Sequence, residues 1–125
     1  MNKTLSIVAV ALSLSLSSAP LLAHVDHGKA QYGGVVVEAG MAQFEVVNKD
    51  GQALVYASQH GQALPTAGAS GKLVILDGAR KSEIVLQPAG DNRLSGQGTI
   101  AAGAKVLVQV QLAGQKMLQG RAVMP

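Results

Sequence analysis

Apolar residues in this chain recur in short stretches with a period of two, separated by turn residues roughly every ten positions. Met41 to Val47 alternates, with Gln43 and Glu45 on one face and Phe44 and Val46 on the other. Lys105 to Leu112 (KVLVQVQL) is the clearest case. There Val106, Val108, Val110 and Leu112 share a face opposite Gln109 and Gln111. Val35 to Glu38, Gln52 to Ser58 (with Leu54 and Tyr56 on one face), Glu83 to Gln87 and Lys116 to Met124 read as further strands. Arg93 to Gly98 and Thr99 to Ala101 are weaker candidates. Lys72 to Asp77 (KLVILD) is apolar throughout, the pattern of a strand covered on both sides. Asn48-Lys49-Asp50-Gly51 is a hairpin turn, because Asn and Asp bond nearby backbone and Gly supplies positive φ. Asp77-Gly78 and Ala113-Gly114 turn the chain in the same way. Gln59 to Lys72, with Gly61, Pro65, Gly68 and Gly71, reads as a loop or a short edge strand. No sustained 3.6-residue pattern exists. The pattern predicts an all-β fold, a small antiparallel, immunoglobulin-like β-sandwich of about seven to nine strands. A small closed barrel is the alternative.

The first residues follow a different rule. Residues 1–23 have a basic start at Lys3, an apolar run from Leu5 to Leu16 and a small-residue end at Ala23, the layout of a secretory signal peptide. The run is too short for the ~20 residues of a membrane-spanning helix, and no later segment approaches that length. The expected organisation is a signal peptide over 1–23, a flexible histidine-containing leader over 24–33 and one β-sandwich over 34–125, without a membrane span once the signal is removed. Export places the domain in the periplasm. Cleavage after Ala23 makes His24 the amino terminus.

Composition narrows the chemistry. The chain has no cysteine, which excludes disulfides, thiolate metal sites and cysteine nucleophiles. Its net charge of +3 is spread over single basic residues apart from Arg80-Lys81. With two tyrosines and one phenylalanine there is no stacking platform for bases, so nucleic-acid binding is not expected. Around Gly71-Lys72 a phosphate-binding loop would need Gly at Thr66 and Ser or Thr at Leu73, and both fail. Ser58, Ser70, Ser82 and Ser95 lack a nucleophile-elbow context, and the seven acids are dispersed. The sequence does not read as an enzyme.

The histidines remain. HVDHGKAQYGG, residues 24–34, holds two of the three. A neutral imidazole suits copper and zinc, and a free amine on His24 would chelate together with its own ring nitrogen. Asp26 and His27 add donors from the same leader. Such nitrogen-rich donation favours Cu(II), with Zn(II) or Co(II) next. Affinity at these leader histidines falls below about pH 6, where imidazole protonates. His60 is a partner only if the fold brings it beside the leader. Met41, Met117 and Met124 carry thioethers suited to Cu(I), but methionine on a strand usually fills core space.

From Gly33 onward the chain resembles a family of small exported proteins associated with heavy-metal efflux systems of the resistance-nodulation-division type, and segments of their periplasmic adaptors. The stretches that carry the resemblance are Gly33 to Glu38 with Phe44 to Val47, Leu54-Val55-Tyr56 running to His60-Gly61, Pro65 to Leu73, and Leu86 to Leu94. The resemblance implies a periplasmic β-sandwich that handles Cu, Zn, Co or similar ions. The family pattern reads His-Gly-Gly where this chain has Tyr32-Gly33-Gly34, and Asp-His-Gly where it has Gln59-His60-Gly61. His60 matches that pattern, whereas Tyr32 and Gln59 replace two potential ligands. The architecture is also similar in kind to periplasmic copper-resistance proteins that bind Cu(II) through an N-terminal histidine.

The expectation is therefore a non-enzymatic periplasmic metal binder using His24, Asp26, His27 and His60. The alternative is an interaction module that docks on an efflux adaptor or another envelope protein without binding metal. It would use a strand edge or the face near Leu54 and Tyr56.

Overall fold

The computed structural model describes residues 29–125. The expected signal peptide, and with it His24, Asp26 and His27, lie outside the described residues. The described residues form nine strands and no helix: β1 (Val35–Ala39), β2 (Ala42–Lys49), β3 (Gln52–Gln59), β4 (Gln62–Ala63), β5 (Ser70–Asp77), β6 (Arg80–Pro88), β7 (Arg93–Gln97), β8 (Lys105–Gln111) and β9 (Met117–Val123).

Turn chemistry sets the hairpins. Asp50 (φ 53°) and Gly51 (φ 74°) both take positive φ between β2 and β3, as a type I′ turn requires. His60 (φ 51°) and Gly61 (φ 77°) do the same between β3 and β4. Gly40-Met41 links β1 to β2 with Gly at the positive-φ position.

Strands run in the order β1-β2-β3-β7-β6-β5-β8-β9, all neighbours antiparallel, with the short β4 beside β3. Strand β6 belongs to both halves of this path. Residues Arg80 to Leu86 pair with β5, and Gln87-Pro88 then pair with Ser95-Leu94 of β7. Two sheets facing each other thus share one strand, and the path bends nearly closed into a barrel-like shape. The ends of the path, β1 and β9, meet at Gly120. A Cβ there would sit 2.5 Å from Glu38 O and run into Val37 Cγ1. Only glycine lets these two edges approach so closely.

Alternate side chains fill the interior. Val37, Phe44, Val46 and Val55 come from one half, and Leu73, Ile75, Leu86, Val106, Val108 and Val110 from the other, all buried in one cluster. At about 25 cal/mol per Å² of apolar surface, this burial is the main term that offsets chain entropy. Met124 is buried core filler, while Met41 and Met117 are exposed.

Two local expectations change. Thr99 to Ala101 is not a strand. The Asn48 side chain takes its place: Oδ1 accepts Ile100 N–H at 3.1 Å, while Nδ2 donates to Gly98 O and Gln52 O. A side chain there satisfies the backbone that a neighbouring strand would otherwise pair. KLVILD, read as covered on both sides, is covered on one. Leu73 and Ile75 are buried, but Val74 is only half-buried and Leu76 is exposed.

Candidate functional site

Gln43, Glu45, Leu54, Tyr56 and Ser58 lie on the outward faces of β2 and β3, opposite the core positions. Register aligns Val36 with Glu45, Glu45 with Tyr56, and Tyr56 with Arg93, one row across four strands. A glutamate at such a place would ordinarily be solvated. Here it is buried, at 6% exposure, because residues 31–34 fold across it.

Both carboxylate oxygens are engaged. Oε1 accepts the Gln31 N–H at 2.6 Å, and Oε2 accepts those of Tyr32 at 2.7 Å and Gly34 at 3.1 Å. These are charge-assisted bonds to backbone amides that no strand partner serves. The Tyr32 ring lies on the Tyr56 ring, centroids 3.8 Å apart and planes 11° from parallel. Gln31, Tyr32 and Gly34 are therefore held against the sheet. The carboxylate fixes the backbone, and the stack fixes the side chain. Tyr56 and its outward neighbour Leu54 are half-buried.

The anchored segment walls a cleft of about 550 Å³, lined among others by Lys29, Tyr32, Glu45, Tyr56, His60 and Asn92. Asn92 is fixed by its Nδ2 donating to Ala57 O. Below it, the buried Thr66 hydroxyl sits 2.7 Å from Arg93 O and ties the 65–66 loop to the β6–β7 turn. His60 reaches the cleft from its I′ turn and is exposed. It also lines a smaller recess of about 260 Å³ with Glu38, Met41 and Gln43. Met41 and His60 lie in the turns just past the end of the β2–β3 pairing, where Gln43 stands opposite Ser58, and share this recess.

His60 is the one histidine among the described residues, and no group of three His, Cys, Asp or Glu side chains gathers there to hold a metal. Glu45 is committed to backbone amides and is not available as a ligand. Among the described residues, Glu38 and Met41 are donor-bearing neighbours of His60 in the smaller recess, and Lys29 to Tyr32 line the larger cleft. Tyr32 and His60 line the same cleft.

The Glu45 clamp and the Tyr32–Tyr56 stack were not evident in the sequence. Their only signals were an acid in the middle of an alternating strand and two tyrosines in a chain poor in aromatics. Comparison with known protein families, characterised proteins and solved structures returns no match. No helix among the described residues is long and apolar enough to cross a membrane.

Proposed function

We propose that this is an exported, non-enzymatic β-domain that binds a divalent transition metal, Cu(II) ahead of Zn(II) or Co(II), in heavy-metal resistance or efflux. His24 and His27 are the principal ligands, with Asp26 and His60 in support. One observation carries the reading: Lys29 to Tyr32, continuous with the histidines of the leader, line the cleft that His60 lines. His27 is two residues from Lys29, so its Cα stays within about 7 Å of that of Lys29. The Glu45 clamp holds residues 31–34, so only a few covalent links separate a fixed point of the chain from His24 and His27, which raises their effective concentration near His60. The resemblance to efflux-associated periplasmic proteins supports the same reading.

Intact-mass analysis of the exported protein, without metal and after Cu(II) or Zn(II) addition, tests it. The expected result is a chain starting at His24 that takes up one metal ion. Unchanged Cu(II) affinity in a His24→Ala/His27→Ala variant would overturn it.

A further inference from the structure

The opposite wall of the molecule carries an apolar surface that the described residues leave bare. Outward residues of β5, β8 and β9 form two rows in register: Val74, Leu107 and Arg121, then Leu76, Lys105 and Val123. Together they line a shallow groove of about 470 Å³. Leu76 is 43% and Val123 55% exposed. Exposed Val85 lies on the neighbouring β6, and exposed Met117 at the start of β9. Scattered surface aliphatics need no explanation, but a contiguous strip on a strand with the pattern of a doubly covered one does.

Charge tells what the strip fits. Lys105 and Arg121 flank it, and Lys81 lies opposite Leu76 on β6. Glu83, opposite Val74, is paired with Lys72 at 3.5 Å. Cations therefore dominate the rim. A second copy of this chain would set cation against cation across a two-fold interface. Membrane interfaces favour Trp and Tyr anchors, and none stands on this wall, since Tyr32, Phe44 and Tyr56 all lie on the other half. Single-stranded nucleic acid would likewise find no ring to stack on.

We infer that this wall is a docking surface for an acidic, aliphatic segment of another protein. Val, Leu or Ile side chains of the partner enter the strip between Val74, Leu76, Leu107 and Val123. Its Asp or Glu residues meet Lys81, Lys105 and Arg121. Interfaces of this kind take their on-rate and specificity from the charged rim and their retention from the apolar centre. The inference does not depend on the metal reading, and the wall is separate from the Glu45 cleft.

A random peptide library displayed on phage, selected against the full chain and counter-selected with Lys105→Glu/Arg121→Glu, tests the surface. The expected winners carry aliphatic pairs flanked by Asp or Glu. Synthetic copies should perturb NMR methyl signals of Val74, Leu76, Leu107 and Val123 in the unaltered protein. They should bind Leu76→Gln/Val123→Gln at least about tenfold more weakly, and lose affinity as salt rises. Winners that are basic or aromatic, signals that move only in the Glu45 cleft, or no enrichment dependent on Lys105 and Arg121 would overturn it. So would phosphatidylglycerol vesicles binding this wall while acidic peptides do not.

Discussion

The Glu45 carboxylate accepts the Tyr32 amide hydrogen at 2.7 Å, so a side chain in the middle of a strand fixes the backbone of a segment thirteen residues earlier. Replacing Glu45 by Gln keeps the shape and removes the charge, leaving one oxygen to serve three amides. A loss of about 1–3 kcal/mol is expected. Hydrogen exchange should show amides 31, 32 and 34 losing protection while amides in β5 and β8 keep theirs. A uniform loss across the molecule would mean that the clamp supports the whole fold.

Tyr32 can be changed in two informative directions. Tyr32→Ala removes the stack on Tyr56 and should lower stability by about 0.5–1.5 kcal/mol beyond the area lost, read by thermal melting. Tyr32→His places a second imidazole in the cleft that His60 lines. On the metal reading this variant tightens Zn(II) or Cu(II) binding by about tenfold, measured calorimetrically. Equal or weaker binding would count against a metal in this cleft.

His60 occupies a position of a type I′ turn where asparagine is favoured. His60→Asn should therefore change the melting free energy by no more than about 0.5 kcal/mol. On the metal reading, affinity should nevertheless fall, though by less than in His24→Ala/His27→Ala. The variant separates the turn's structural need from the ring's chemistry. Unchanged affinity would remove His60 from the ligand set.

Gly120 is where the two ends of the sheet meet. Gly120→Ala puts a methyl group against Glu38 O and Val37 Cγ1, and one edge must move away. The expected cost is about 1–3 kcal/mol, seen in denaturant unfolding. Gly51→Ala serves as comparison: a Cβ there meets nothing within 4 Å, so its cost is that of positive φ alone.

What the sequence revealed follows how local each cause is. Alternation in β2 and β8 and the Asp50-Gly51 turn are properties of consecutive residues, and they were legible at once. Thr99 to Ala101 misled because the partner of Ile100 N is the side chain of Asn48, 52 positions away. Glu45 read as an ordinary outward acid for the same reason. Its burial depends on residues 31–34 arriving from a segment that has no strand pattern of its own. KLVILD misled in the other direction. Its pattern records apolar surface on two faces, and the described residues cover only one. His60 was legible as a loop residue, but its place beside Lys29 to Tyr32 was not, because the cleft is created by the pairing of β1 to β4 together with the β6–β7 turn.

The meeting of β1 with β9 also bears on when this domain can fold. Val37 and Glu38 touch a residue more than eighty positions later, and loop-closure entropy makes such a contact a late one. Until Gly120 is present, a growing chain can assemble hairpins but cannot seal the sheet, and β1 keeps an open edge. Completion of the domain is thus tied to arrival of its last strand. A chain trimmed before β9 should be one that sticks to its neighbours.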